Sequence, residues 1–370
     1  MDHRIKKLAD ILVDYSCKVK KKEKVMIECH GFSALPLVKR LVEKVYEVGG
    51  LPFVVLNESS VMREIIKGCE KEQLRLMTDF GLSRMKKMDV FIGIRAHDNV
   101  NELGDLEGSK LNEYMRDFSS KIVEERVNNT RWVVLRWPNN SMAQLANTSL
   151  ESFTDFYFDV CTMDYNKMSK AMDPLIGLMG KTDKVRIEGP GTDLEFSIKG
   201  IPTIKAAGEA NIPDGEVFTA PVKDSLQGHV TFNTPAVYQG VTYENIYFKF
   251  KNGKIIEASA NFTERINKVL DTDKGARFLG EFAIGLNPFI DKPMKDPLFD
   301  EKIMGSIHLT PGNCYEEASN GNKSAIHWDL VLIQLESSGG GNIYFDDVLI
   351  RKNGLFVIED LKPLNPENLR

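Results

Sequence analysis

Apolar residues recur at helical intervals over residues 5–17 and 34–48, and each stretch runs into a short apolar block, at 24–29 and 51–56. Gly49-Gly50 stands where a helix C-cap belongs. A further helical stretch precedes an apolar block at 89–94, and another block follows at 131–136. Short, continuously apolar strands separated by helices predict a mostly parallel sheet covered on both faces. None of these strands is followed by the glycine fingerprint that cradles a dinucleotide phosphate, so the layout resembles a nucleotide fold without its chemistry.

The pattern changes near residues 181–183. Turn signals then come quickly: Gly189-Pro190-Gly191, Pro213-Asp214-Gly215, Asn252-Gly253, Pro311-Gly312 and Gly339-Gly340-Gly341. The segments between them alternate apolar and polar residues, as at 194–198 and 246–250, which predicts half-buried strands. Asn252-Gly253 between two such runs is a hairpin signal. Residues 261–280 read as one or two helices inside this half. The chain is therefore divided at residue 182, into an α/β domain with a mostly parallel sheet (1–182) and a β-rich α+β domain (183–370). A length of 370 residues suits two domains.

Composition narrows the classes. Apolar residues make up 42% and charged residues 27%, enough to build large cores without disulfide or metal staples. The net charge is -5, and the basic residues at 18–24 read as a solvated connector, so nucleic acid is excluded as a partner. The first residues alternate charge with apolar groups, unlike a secretory signal, and no apolar run reaches membrane-spanning length. The five cysteines (Cys17, Cys29, Cys69, Cys161, Cys314) are odd in number and scattered, which suits reduced thiols in a cytoplasm. No CxxC pair offers a thiolate zinc site.

The polar residues worth weighing collect in the second half. His327 and Asp329 flank Trp328 just before an apolar strand, and residues i and i+2 of a strand share a face. They project together, either as two metal ligands or as a hydrogen-bonded core pair. His308 lies in an apolar strand-like stretch closed by Pro311-Gly312. Glu216 heads an apolar run after a Pro-Asp-Gly turn, and Glu281 sits in an otherwise uncharged block, 280–285. A carboxylate in such surroundings must be paired, capped or metal-bound. Three carboxylates and two neutral imidazoles carry about -3, which two divalent cations and a bridging hydroxide bring to zero; mixed oxygen and nitrogen donors suit zinc, cobalt or manganese. Tyr315 follows a Pro-Gly turn that either returns its hydroxyl toward the same place or leaves it packing. His30 and His97 end strands of the first half and read as loop residues, and His229 as a strand-surface residue. The Gly-rich run at 337–342 lacks the lysine and helix of a phosphate loop, and no GxSxG elbow is present.

Four blocks occur in a distinctive order: 211–218 (NIPDGEVF), 280–287 (GEFAIGLN), His308 through Tyr315, and 322–329 (NKSAIHWD). This order resembles the thermophilic-type metalloaminopeptidases, the family of aminopeptidase T and aminopeptidase S. The resemblance runs over nearly the whole chain, including the 189–194 block. It implies an α/β N-terminal domain and a C-terminal domain with a dinuclear metal site. Glu216, Glu281, His308, His327 and Asp329 correspond to the metal ligands, and Glu281 and Tyr315 to the catalytic residues. It further implies two divalent ions per chain, peptide substrates with a free amino terminus, and a homodimer. The short interval from His308 to His327, with Pro311 and Cys314 in it, departs from the family pattern and bears on substrate preference. Three other classes are weighed against this one: a dinuclear phosphoesterase, which ordinarily uses more aspartate and histidine, a nucleotide-binding module, for which the α/β half has no glycine fingerprint, and a non-catalytic peptide-binding or scaffold protein, which has no need of a full ligand set.

Overall fold

Four of the apolar blocks of the first half line up as parallel neighbours in a computed structural model that describes residues 2–370. The strands are Leu51–Asn57, Lys24–His30, Val90–Arg95 and Arg131–Arg136, in that spatial order, and a two-residue strand, Asn211–Ile212, adds to the last of them. Val90–Arg95 is buried along all but its last residue, as a central strand under helices must be. Leu51–Asn57 differs from the reading of strands covered on both faces. It is the sheet's edge, and Leu51, Phe53, Val54 and Leu56 are each about 43–45% exposed. An apolar run does not reveal whether a neighbour covers it. The preceding helix Leu35–Glu47 ends at Gly49, whose φ of +79° is the left-handed cap expected there.

The chain divides into two compact units. One holds residues 1–162 with 208–212, the other 163–207 with 213–370. The composition change at residue 182 thus falls inside the second unit, because the helix Tyr165–Met179 groups with the β-rich part. Lys205 explains the grouping: from the strand Ile204–Ala206 its ammonium donates to Ser169 O (3.2 Å) and pairs with Asp173 (2.5 Å) on that helix.

Two antiparallel sheets dominate the second unit. The larger has eight strands, ordered Lys254–Ser259, Tyr247–Lys251, Gln227–Thr231, Thr192–Ser197, Lys184–Gly189, Asn342–Phe345, Val348–Lys352 and Leu355–Phe356. The expected hairpin joins its first two strands, with Asn252 and Gly253 both at positive φ (+49° and +77°) as a type I′ turn requires. Only Thr263–Leu270 of the stretch read as helical forms a helix. The smaller sheet has five strands in the order Leu330–Ile333, Ser306–Pro311, Leu279–Gly285, Glu216–Thr219 and Ile204–Ala206. Its three central strands are buried at every residue. Among the described residues no helix is long and apolar enough to cross a membrane.

Candidate metal centre

Register in the five-stranded sheet explains how residues more than a hundred positions apart come together. Residues directly opposite on neighbouring strands share a face. Glu281 stands opposite Thr310, Ala283 opposite both His308 and Phe218, and Gly285 opposite Glu216. Glu281, Ala283 and Gly285 are spaced by two, so Glu216, Glu281 and His308 fall on one face, with the two small residues between them. Val331 stands opposite His308, and Asp329 lies two residues before it. An extra residue at Gly280 makes a β-bulge and sets the position of Glu281. A Cβ at Gly280 meets Asn313 O at 2.3 Å, so only glycine fits against that turn.

The side chains then interlock. One oxygen of Glu281 is 3.3 Å from Nε2 of His308, and the other is 3.4 Å from Nε2 of His327. Nε2 of His327 is also 3.4 Å from Asp329, and Nδ1 of His308 is 3.7 Å from Oε2 of Glu216. Each imidazole has a support behind it: Nδ1 of His327 donates to Asn313 O (2.8 Å), and Nδ1 of His308 faces Glu301 O (3.3 Å). Thr310 donates its hydroxyl to Asp329 (2.6 Å). Glu216, Glu281 and His308 form one triad of donors, and Glu281, His327 and Asp329 a second, each with its ligand atoms within 4.8 Å of one another. Glu281 belongs to both.

The donor set fits two divalent ions on three observations. Four-coordinate zinc with bonds near 2.1 Å keeps its ligands roughly 3.4 Å apart, the spacing between Glu281 and the two imidazoles. Oε2 of Glu216 is buried without a hydrogen-bond partner, as a ligand oxygen is before its cation arrives. Nε2 of His327 is left to coordinate by a support on its Nδ1, the usual arrangement behind a metal-binding imidazole.

Burial and the neighbouring charges move several proton equilibria here. Burial raises the Glu281 carboxyl, and its hydrogen bond with His308 offsets this only in part. Burial works to lower His308, but Glu281, Glu216 and Asp329 outweigh it and hold the imidazole up at about 10. His327 is likewise raised, burial being overcome by Asp329 and Glu281. Asp329 is lowered, because the two histidines and Thr310 outweigh its burial. Tyr315 leaves about half its surface to solvent, with its ring 4.9 Å from that of His327 and 5.5 Å from that of Phe218. Burial of its hydroxyl end, then the nearby carboxylates, Glu281 first, raise the phenol far above its ordinary value.

The thermophilic metalloprotease family (M29) matches the chain over residues 1–348. The chain belongs to that family. Among curated proteins, aminopeptidase T of Thermus thermophilus is 32% identical over 174 residues, covering 40% of this chain and 42% of that protein. AmpS of Bacillus subtilis is 34% identical over 168 residues, covering 41% of this chain and 40% of AmpS. PepS of Streptococcus thermophilus is 31% identical over 199 residues, covering 46% and 48%. The chain thus spans less than half the length of the curated relatives it matches. Among solved structures, wild-type AmpT from Thermus thermophilus superposes with a TM-score of 0.82 over 96% of this chain and 99% of that one, at 20% identity. That likeness shows the fold: a parallel α/β region followed by an antiparallel β-rich one.

Glu216, Glu281, His308, His327 and Asp329, the five residues expected as ligands, meet in this cluster, with Tyr315 beside them. The other candidate histidines do not. His30 pairs with Glu28 (2.9 Å) and Nδ1 of His97 lies 2.6 Å from the Ser59 hydroxyl, both within the first unit, and His229 lies near Tyr247. The Gly-rich run at 337–342 is a turn leading into Asn342–Phe345. Three charged residues at the centre carry no signal in the sequence. Glu301, Lys302 and Asp214 stand in short turns, and Lys302 and Asp214 are each 1% exposed. Glu301 joins His308 and Asp329 in a third donor group. A recess lined by Thr234, Ala236, Val237, Pro297 and Val331 opens beside Glu301 and Asp329.

Proposed function

We propose that this protein is a metal-dependent aminopeptidase that hydrolyses the first peptide bond of peptides with a free amino terminus. Glu216, Glu281 and His308 hold one divalent cation, and Glu281, His327 and Asp329 the other. The observation that carries this reading is Glu281, whose two carboxylate oxygens face two different imidazoles at 3.3 and 3.4 Å in a member of a metalloprotease family. The names of the relatives, aminopeptidase T, AmpS and PepS, support exopeptidase rather than internal cleavage.

When bound, two such ions supply Lewis acidity toward the scissile carbonyl and lower the pKa of the attacking water. The chain's residues do the rest. Glu281, which belongs to both triads, is the carboxylate expected to pass the proton of the attacking water. The Tyr315 phenol stays protonated across the neutral range, so it donates a hydrogen bond to the oxyanion of the tetrahedral intermediate. Zinc, cobalt and manganese all suit the donor set.

Two further expectations belong to this reading. The chain works as a homodimer, which the exposed apolar edge Leu51–Asn57 supports, since an open strand edge is a template for pairing. It works in the cytoplasm, which the five buried, unpaired cysteines support.

The test is release of p-nitroaniline from leucyl-p-nitroanilide and from its N-acetylated twin, after chelation and after return of zinc, cobalt or manganese. The expected result is metal-restored activity on the free-amine substrate alone. Equal cleavage of both substrates sinks the exopeptidase claim. Activity that survives chelation sinks the metal requirement, and the absence of cleavage of any free-amine aminoacyl anilide in a panel sinks the enzyme reading.

A further inference from the structure

Lys302 is a lysine with almost no water around it. Its side chain is 1% exposed, and its ammonium lies 2.5 Å from Oε1 of Glu216, 2.8 Å from Oε1 of Glu301 and 3.7 Å from Oδ1 of Asp214. The backbone beneath it is fixed on both sides. Lys302 N–H donates to Phe299 O (3.1 Å), and Lys302 O accepts from Asn287 N–H (3.0 Å). The Asn287 side chain in turn donates to Asp214 O (2.8 Å), so the lysine and one of its acidic partners share a frame. The segment also reaches the neighbouring ligand, since Glu301 O faces Nδ1 of His308.

The two oxygens of Glu216 have different fates in this arrangement. Oε1 is taken by Lys302. Oε2 is buried, has no hydrogen-bond partner, and lies 3.7 Å from His308. A free carboxylate turns broadly about its last torsion and offers a cation one oxygen or both. An ammonium locked onto one oxygen removes that choice.

We infer that Lys302 is a positioning residue for the metal centre: by holding Oε1 of Glu216 it presents Oε2 as a single-atom ligand. The inference rests on the dinuclear reading above. It adds a fixed internal cation that orients one ligand and balances part of the acidic charge, without itself touching metal or substrate. Groups that orient a ligand from behind ordinarily change metal affinity 10–100-fold when removed. Because the ligand that Lys302 touches is Glu216, and it touches neither His327 nor Asp329, its loss acts chiefly on the ion that Glu216 holds.

The experiment measures zinc content and the two zinc affinities of the full chain by chelator competition, for wild type, K302M, E216Q and the double variant K302M/E216Q. Wild type is expected to bind two ions. K302M is expected to weaken one affinity by about 10–100-fold and to change the other far less. In the E216Q background the same replacement is expected to change nothing further, a result that a general structural role does not give. If K302M fails to fold, K302M/D214N removes one charge of each sign and answers the same question. Two affinities equal to those of wild type overturn the inference, as does a parallel loss at both sites. A gain in affinity also overturns it, because Lys302 is then a competitor for Glu216. Wild type that binds fewer than two ions overturns the dinuclear reading, and the role of Lys302 with it.

Discussion

Burial, then the charge of the nearby carboxylates, raises the Tyr315 phenol, so it keeps its proton near neutral pH and can donate it in a hydrogen bond. Removing one oxyanion donor costs about 2.7–4 kcal/mol in the transition state. Tyr315→Phe is therefore expected to keep both metal ions and lose roughly two to three orders of magnitude in kcat. Metal analysis alongside steady-state kinetics checks this, and near-full turnover in the variant removes Tyr315 from the mechanism. His308 makes a different prediction. In the metal-free chain its imidazole is held up at about 10, so at pH 7.5 it carries a proton that a cation must displace. Zinc uptake at pH 7.5 should release at least one proton per chain, and zinc affinity should rise with pH until it passes the imidazole's own value. Calorimetry in buffers of different ionisation enthalpy reads the proton directly. Uptake with no proton released contradicts the charged imidazole.

At the scale of strands, the bulge at Gly280 is what aims Glu281. A methyl group there sits 2.3 Å from Asn313 O and 2.6 Å from Gly312 O, and Asn313 O is the acceptor that orients His327. Gly280→Ala is thus expected to cost about 1–3 kcal/mol of stability through overpacking, and to lose metal in the same step. The contrasting variant is Gly177→Ala in the helix Tyr165–Met179, where an added Cβ meets nothing within 4 Å. It should stabilise by about 0.5–1 kcal/mol with zinc content unchanged. Denaturant midpoints and zinc content of both variants decide the matter. These strands also show what a sequence discloses. Period and turn chemistry were enough for the strands at 24–30, 90–95 and 131–136 and the Asn252-Gly253 hairpin, because those signals are local. The two-residue strand Asn211–Ile212, the exposed edge at 51–57 and the grouping of the helix Tyr165–Met179 depend on distant partners. The five donors were legible because their blocks keep an order. Lys302, Glu301 and Asp214 were not, since a charge in a short loop looks the same whether water or a carboxylate stands beside it.

For the molecule as a whole, the centre concentrates like charge. Asp214, Glu216, Glu281, Glu301 and Asp329 gather around one lysine and two histidines, and Asp214, Glu216, Glu281, Lys302 and His308 are buried. Uncompensated buried charge opposes folding, and bound cations relieve it. A ligand that binds only the folded state stabilises by about 2.7 kcal/mol at a hundredfold excess over its Kd. Two such ions contribute twice that, and for a unit of about 200 residues each kcal/mol moves Tm by roughly 2–4 °C, so chelation should lower Tm by about 11–22 °C. The metal-free chain should still fold, because the apolar core of the second unit does not depend on the ions. Glu216→Ala should shrink the chelation shift, since it removes a ligand from one of the two triads. Scanning calorimetry of wild type and Glu216→Ala, each with excess zinc and with chelator, checks both statements. A wild-type Tm that ignores chelation leaves the cluster an ion-pair network without metal. A variant whose shift equals that of wild type takes Glu216 out of the ligand set.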